Sequence, residues 1–348
     1  MNEDRVSKHF ARTIVLGAGP AGIAAAIGAG PDTILLERAD EIGGLCRSIE
    51  LEGAVFDIGG HSFHTPHADV RKLVFDSLEM YEQKRQAWCW SHGQLIPYPF
   101  QKHFHSLADQ NLVNECADGL HHVSANAAER ANFEKYLVSK FGIAIAREFL
   151  LPYNRKLWGA DLGRISTDWV NERVAAALRE TPDVKSSTKR MPLADDSVVA
   201  YPVRGGFSEI FKALARRVPK ISFRTEITQL DSNRRTICTA GGAVFQWQQL
   251  VSTIPLPQLI DSIKDAPAEL KALAQRLEFL PLRIVFAVLN HSVNTEMQRV
   301  YCADADIDAH KIVINSNSSD YLRSLPRSAI SAEISGLSRS SEIDGRAL

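Results

Sequence analysis

The chain has 348 residues, more than one average domain needs and enough to bury a large core. Apolar residues make up 45% of it and charged residues 23%, both ordinary for a soluble globular protein. The formal net charge of −1 excludes a bulk electrostatic attraction to nucleic acid or to an anionic membrane, so we expect no nucleic-acid partner.

The cysteine pattern and the polar first residues indicate a cytoplasmic protein. The five cysteines are widely spaced, odd in number and never form a C-x-x-C pair. They predict reduced thiols, because a disulfide framework or a zinc site needs paired or clustered cysteines. Residues 1–11 are charged and polar and lack the apolar stretch of a signal peptide.

The first half of the chain begins with the pattern of a dinucleotide-binding βαβ unit. Residues 13–16 form a short apolar run, which predicts a strand buried on both faces. The G-x-G-x-x-G segment that follows predicts a tight turn, a close backbone approach to a pyrophosphate and close helix–strand packing. Its residues are Gly17, Gly19, Pro20, Ala21 and Gly22.

A second strand, residues 33–36, ends at Glu37, which lies 20 residues after Gly17. This spacing is typical of a carboxylate that binds the ribose hydroxyls of a dinucleotide, and Arg38 follows it directly. The alternative is a buried turn that merely tolerates glycine. A membrane span over residues 14–30 is excluded by its glycines, its proline and its length.

The remaining pattern predicts an α/β fold with two domains. Residues 65–200 are predicted mainly as helix and loop, with a helix over 68–81, and a further helix is predicted over 206–217. Strands are predicted at 221–230, 243–254, 283–289, 311–314 and 329–334. The order predicts a Rossmann-like nucleotide-binding domain (1–64 and 202–256), interrupted by a largely helical substrate domain with an additional mixed sheet (65–201 and 257–335).

Several further segments resemble one flavoprotein family. They are Gly43-Gly44-Leu45-Cys46-Arg47-Ser48, Gly59-Gly60-His61, Pro97-Tyr98-Pro99-Phe100-Gln101, Pro152-Tyr153-Asn154-Arg155-Lys156-Leu157-Trp158, Trp169-Val170-Asn171-Glu172-Arg173-Val174 and Tyr201-Pro202-Val203-Arg204-Gly205-Gly206. As a set they resemble the FAD-dependent amine oxidase and protoporphyrinogen oxidase superfamily, and within it the UDP-galactopyranose mutases.

The resemblance implies FAD as cofactor and a nucleotide sugar as substrate. It implies that His61 lies beside the flavin ring, that Arg173 binds the diphosphate, and that Tyr98, Asn154 and Trp158 line the substrate pocket. The implied cofactor-binding residues beyond the βαβ unit are Gly44, Leu45, Arg47, Gly59, Gly60, His61, Ile227 and Thr253. Each of these also has an ordinary structural interpretation, such as a turn cap, a core aromatic or a strand residue.

Three functions remain open at this stage. The first is a mutase that interconverts UDP-galactopyranose and UDP-galactofuranose through an adduct with reduced flavin, in polysaccharide biosynthesis. The second is an oxidoreductase of the amine oxidase type. The third is a non-catalytic remnant, because residues 336–348 form a divergent tail where the family has a further FAD-domain segment. Oligomerisation is compatible with all three.

A metal site is not expected. His61, His64 and His67 are spaced by three residues, but neither a predicted helix nor a matching carboxylate accompanies them. A second phosphate-binding arginine is expected in the middle strands, where only Arg283 is a candidate.

Overall fold

The computed structural model describes residues 7–123, 130–170, 174 and 198–336. Its strands, in chain order, are β1 (Lys8–Leu16), β2 (Thr33–Leu36), β3 (Ser48–Leu51), β4 (Ala54–Asp57), β5 (Met80–Lys84), β6 (Ala87–Ser91), β7 (Gln94–Pro97), β8 (Val198–Pro202), β9 (Ile221–Ser222), β10 (Ile227–Asp231), β11 (Thr236–Thr239), β12 (Val244–Ser252), β13 (Leu282–Leu289), β14 (Arg299–Cys302), β15 (Lys311–Ile314) and β16 (Ser328–Ser335).

The helices of the same residues, in chain order, are α1 (Pro20–Ala29), α2 (Ala68–Phe75), α3 (Phe100–His103), α4 (Gln110–His121), α5 (Phe133–Phe141), α6 (Ile143–Ile145), α7 (Leu151–Trp158), α8 (Ser208–Ala215), α9 (Leu256–Ser262), α10 (Ala268–Gln275) and α11 (Asp320–Arg323). A π-helical segment, Ala146–Leu150, joins α6 to α7.

The chain divides into two compact units. Unit 1 comprises Met1–Ile49, Leu73–Glu79 and Gly205–Phe279, and unit 2 comprises Glu50–Lys72, Met80–Arg204 and Leu280–Leu348. The boundaries of the nucleotide-binding and substrate domains that the motifs suggest stay a prediction.

Unit 1 is built on a sheet with the strand order β10-β11-β12-β1-β2-β9. β1 lies at its centre and pairs in parallel with β12 on one side and with β2 on the other. Ile14, Val15 and Leu16 are buried because both faces of β1 are covered. The chain leaves β1 toward β2 and returns to its other side at β12, which opens a crevice at the carboxyl end of β1.

Unit 2 holds a mixed sheet with the strand order β13-β16-β15-β14-β6-β7. β14 pairs in parallel with β6, whereas the other neighbours are antiparallel. The helices α3 to α7 supply an apolar core that includes Phe100, Phe104, Phe133, Leu137, Phe141 and Ile145. The predicted fold class, a Rossmann-like domain with a largely helical domain and an additional mixed sheet, is confirmed.

Part of the local prediction for residues 65–200 is wrong. The helix predicted over 68–81 ends at Phe75, and Met80 begins β5, which pairs with β8. The strands β6 and β7 also lie where the sequence predicts helix or loop. β5 and β6 form because they pair with the distant strands β8 and β14, which no local pattern shows. β7 then pairs with β6 as a hairpin.

Lys156 fastens α7 to the turn after β14. Its ammonium group donates to the carbonyl oxygens of Cys302 at 3.3 Å and Ile307 at 2.6 Å, and also to that of Asp304. These bonds use all three ammonium protons. Burial lowers the pKa of Lys156 even though neighbouring acidic groups oppose the shift.

We expect Lys156→Met to lower the free energy of unfolding by about 2–3 kcal/mol, because charge-assisted bonds to three carbonyls are lost. The measurement is urea denaturation followed by circular dichroism. Lys212→Met is the control, since Lys212 makes an exposed ion pair with Glu209 and its loss costs less than about 1 kcal/mol. Equal effects of the two substitutions would contradict the structural role of Lys156.

None of the five cysteines is in a disulfide. No helix in the described part of the chain is long and apolar enough to cross a membrane.

Candidate cofactor and substrate site

The turn between β1 and α1 is tight because glycine occupies two crowded positions. Gly17 has a φ of +90°, and its N–H donates to the carbonyl oxygen of Leu36 at 2.8 Å. A Cβ atom at Gly22 would lie 1.7 Å from the carbonyl oxygen of Gly17. Only glycine at position 22 therefore lets α1 pack this closely against the end of β1.

A cavity of about 810 Å³ lies in unit 1 at the carboxyl ends of β1 and β2. The predicted cofactor residues that line it are Gly17, Gly19, Pro20, Ala21, Glu37, Arg38, Gly44, Leu45, Ile227 and Thr253. Residues from distant segments of the sequence thus meet around one cavity.

Sequence reasoning missed part of the cavity wall. Gln258, Asp261 and Ser262 of α9 line the cavity. So do Glu226, which directly precedes β10, and Thr228, which is part of it. A signal for α9 was present, because Pro255 follows a parallel strand and a proline commonly begins a helix. No local signal marked Glu226 or Thr228, although Ile227 between them is one of the predicted cofactor residues.

Glu37 is held in place by backbone donors. Its carboxylate accepts the N–H of Ala18 at 2.7 Å and that of Ala39 at 2.9 Å. A carboxylate oxygen accepts more than one hydrogen bond, so acceptor capacity remains for a hydroxyl group in the cavity. The Thr253 hydroxyl donates to the carbonyl oxygen of Leu16 at 2.7 Å and so joins β12 to the same turn.

A second pair of glycines approaches the first. Gly43 and Gly44 have φ values of +106° and +56°, and a Cβ atom at Gly44 would lie 3.2 Å from the Cα of Gly19. Arg47 fastens this loop by donating to the carbonyl oxygen of Gly44 at 2.9 Å and to Glu41 at 2.7 Å. Arg47, a predicted cofactor residue, does not itself line the cavity but supports the loop that does.

The residues present fit a dinucleotide. Glycine, which has no Cβ atom, directly precedes the first turn of α1. The N-terminus of a helix presents N–H groups that bind phosphate. The carboxylate of Glu37 lies one strand away on the same cavity wall. This is the arrangement by which a βαβ unit holds a pyrophosphate and a ribose.

Gly59, Gly60 and His61 lie in unit 2, on the face of its mixed sheet. The N–H of Gly60 donates to the Glu333 carboxylate at 2.6 Å, and Lys311 donates to the same carboxylate at 2.8 Å. A Cβ atom at Gly60 would lie 2.6 Å from a methyl group of Val313. The loop can lie flat on the sheet only because position 60 has no side chain.

Glu333 remains ionised although it is only 3% exposed. Burial raises the pKa of Glu333, but hydrogen bonds from His310, Lys311 and the Gly60 N–H and the charge of Lys311 together lower it to about 2. Burial also lowers the pKa of His61, with Lys311 acting in the same direction against the carboxylates Asp57 and Glu333. The imidazole of His61 is therefore mostly neutral at pH 7.

The predicted substrate residues occupy different environments in unit 2. The Tyr98 ring lies 5.0 Å from that of Tyr301, centroid to centroid. Asn154 is buried, and its amide donates to the carbonyl oxygen of Leu150 at 2.7 Å. The indole N–H of Trp158 is buried with no hydrogen-bond partner among the described residues. Arg173 lies outside the described residues.

Two arginines that sequence reasoning missed flank Tyr301. Arg85 donates to the Tyr301 hydroxyl at 2.5 Å. Arg299 is the first residue of β14, with Tyr301 two residues later on the same face of the sheet. Arg283, the candidate from the sequence, lies instead on the edge strand β13. The pairing of β6 with β14 brings Arg85 near Arg299, and no local pattern predicts it.

Across the described ranges, from residue 7 to residue 336 with their gaps, no group of three His, Cys, Asp or Glu residues could hold a metal ion.

The sequence profile of the flavin-containing amine oxidoreductases matches residues 20–331. The chain belongs to this family. Its cofactor is FAD, and the glycine turn and the cavity of unit 1 are the features that fit it. The cofactor inferred from the sequence is thus confirmed.

Solved structures share the fold of this flavoprotein. Reduced UDP-galactopyranose mutase is 25% identical, with a TM-score of 0.84 over 97% of this chain and 77% of that one. Putrescine oxidase bound to putrescine is 16% identical, with a TM-score of 0.62 over 95% of this chain and 76% of that one. The second likeness, at this identity, concerns the fold alone.

A curated relative, putrescine oxidase of Kocuria rosea, is 36% identical over 77 residues. That match spans 21% of this chain and 16% of the relative.

Proposed function

We propose that this flavoprotein is a sugar-nucleotide mutase of the UDP-galactopyranose to UDP-galactofuranose type. The observation that carries the proposal is the likeness to reduced UDP-galactopyranose mutase, with a TM-score of 0.84 against 0.62 for putrescine oxidase. The likeness covers both units of the chain. A role in cytoplasmic polysaccharide biosynthesis follows from this activity and is part of the proposal.

In this proposal the two units divide the work. Unit 1 holds FAD through Gly17, Gly19, Glu37 and the loop at Gly44. Reduced flavin supplies an electron-rich ring nitrogen, which is the chemistry the protein does not have of its own. Unit 2 binds the nucleotide sugar and positions its anomeric carbon.

The proposed substrate residues are Tyr98, Asn154, Trp158 and Arg173. The buried indole N–H of Trp158 supports a ligand role, because a donor of this kind usually finds a partner. The amide of Asn154 keeps a second proton and its oxygen for a ligand after bonding Leu150. His61, mostly neutral, contributes a hydrogen bond rather than a charge to the flavin environment.

The test is an exchange assay. We expect dithionite-reduced protein to convert UDP-galactofuranose into UDP-galactopyranose, because the reaction needs the electron-rich form of the flavin, and oxidised protein to be much slower. The measurement is separation of the two sugars by chromatography. The absence of conversion by reduced, FAD-loaded protein would reject the mutase proposal.

A second candidate is an amine oxidase, favoured by the 36% identity with putrescine oxidase over 77 residues. It predicts that putrescine or a related amine reduces the flavin and that peroxide is released in air. Flavin reduction by an amine, without exchange of the sugar nucleotide, would select this candidate.

A further inference from the structure

Three tyrosine rings of unit 2 meet although they come from three different elements. Tyr98 directly follows β7, Tyr153 belongs to α7, and Tyr301 belongs to β14. The ring of Tyr301 lies 5.0 Å from that of Tyr98 and 5.7 Å from that of Tyr153, centroid to centroid. The packing of this tyrosine cluster therefore depends on how the β6–β7 hairpin, α7 and β14 are placed relative to one another.

Asp304 joins the same three elements at a second place. It belongs to the turn that follows β14. Its carboxylate accepts the N–H of His92 at 2.9 Å and that of Gly93 at 3.0 Å, at the tip of the β6–β7 hairpin. Its carbonyl oxygen accepts a hydrogen bond from the ammonium group of Lys156 on α7. Asp304 therefore holds the hairpin through its side chain and α7 through its backbone.

The hairpin tip supplies donors that its own ladder does not use. His92 and Gly93 have φ values of +54° and +68° and lie between Ser91 and Gln94, the last pair of β6 and β7. Their N–H groups therefore need acceptors from elsewhere, and Asp304 provides both. The His92 imidazole also contacts the carboxylate of Glu148 at 2.9 Å, in the π-helical segment that leads into α7.

On α7 the bond is made close to the tyrosine cluster. Lys156 lies three residues after Tyr153 in the same helix, so the two side chains are neighbours on its surface. The ammonium group is held by three carbonyl oxygens of the turn after β14. Packing between apolar surfaces has no preferred direction, whereas these charge-assisted hydrogen bonds do. They fix how far α7 can slide along the turn.

We propose that Lys156 and Asp304 are positioning residues of the substrate site in unit 2. They act through the elements that they join, because α7 carries Asn154 and Trp158 and the β6–β7 hairpin leads directly into Tyr98. The joint between them sets the distance between these walls of the site. That these walls bind a nucleotide sugar rests on the proposed function, whereas the placement of the tyrosine rings does not.

The first test is fluorine NMR of FAD-loaded protein labelled with fluorotyrosine, without substrate. Replacing Tyr98, Tyr153 and Tyr301 in turn by Phe assigns their resonances. We expect Asp304→Asn, which keeps the shape of the side chain but loses one acceptor oxygen, to shift the resonances of the cluster. Asp306→Asn is the matched control, because exposed Asp306 lies in the same turn, also acts electrostatically on Lys156 and makes no hydrogen bond among the described residues. It should leave the cluster resonances in place.

The second readout is the kinetics of sugar exchange by the reduced protein. We expect the KM for the nucleotide sugar to rise about 10-fold in Asp304→Asn and in Lys156→Met, because a charge-assisted bond that sets the site is lost. A protein that is only less stable loses active molecules, which lowers kcat and leaves KM unchanged. Lys156→Arg keeps a charge and several donors, so its KM should lie between wild type and Lys156→Met.

Cluster resonances that stay in place in Asp304→Asn, or that move equally in Asp306→Asn, overturn the proposal. So does an unchanged KM in variants that still exchange the sugar. Shifted resonances in Asp304→Asn, together with no exchange by wild-type protein, would instead reject the mutase function alone, because the label reports on the protein without substrate. Asp304→Asn carries both measurements if Lys156→Met does not fold.

Discussion

Gly22→Ala is expected to abolish the retention of FAD during purification. The added methyl group would lie 1.7 Å from the carbonyl oxygen of Gly17 and 3.0 Å from the Thr253 hydroxyl oxygen. α1 must then move away from β1, and its N-terminal N–H groups leave the position that fits the pyrophosphate. We expect FAD affinity to fall at least about 100-fold, which corresponds to about 3 kcal/mol.

The absorbance ratio of flavin to protein measures this loss, followed by titration with FAD. Gly28→Ala is a control in the same helix, because a Cβ atom at Gly28 meets nothing within 4 Å. That variant should retain FAD and gain about 0.5–1 kcal/mol of stability from the better helix propensity of alanine. Equal flavin content in the two variants would show that the close packing of α1 is dispensable.

Glu333→Gln is expected to remove a pH-dependent part of the stability. The pKa of Glu333 is about 2 in the folded protein against an ordinary value of 4.5. A folded-state pKa below the unfolded one stabilises the fold above the unfolded pKa, and this stabilisation is lost as pH falls through the folded pKa. The shift corresponds to about 3 kcal/mol at neutral pH.

The free energy of unfolding of wild type and Glu333→Gln should therefore differ by about 3 kcal/mol at pH 7. The difference should shrink steadily as the pH falls from about 5 to about 2. Urea denaturation across this range is the measurement. Glu82→Gln is the control, because Glu82 makes an exposed ion pair with Arg71 at 3.0 Å and its loss costs less than about 1 kcal/mol. A difference that does not depend on pH would mean that Glu333 acts through packing and not through its charge.

Glu333 also shows how a distant residue holds the Gly59-Gly60-His61 loop in place. Gly60 and Glu333 are 273 residues apart in the sequence, yet the carboxylate accepts the Gly60 N–H. The sequence pattern marked Gly59-Gly60-His61 but gave no indication of the group that holds it. The partner exists only once β15 and β16 are paired.

The sequence by itself determined the dinucleotide-binding half of this protein. Its signals are local: an apolar strand, three glycines at fixed spacing, a proline at the start of α1 and an acidic residue at the end of β2. Each depends on the backbone freedom or the burial of residues close together in the chain, so the pattern can be identified without knowing the rest of the fold.

Tertiary structure alone decided the strands β5 and β6 of unit 2 and the meeting of two arginines at Tyr301. Residues 76–81 have a helical pattern locally, but β5 forms because β8 offers it a backbone partner more than a hundred residues later. Arg85 and Arg299 meet at Tyr301 because β6 pairs with β14. The backbone groups of such a strand are satisfied by hydrogen bonds to a distant segment. The local sequence pattern does not show which segment that partner is.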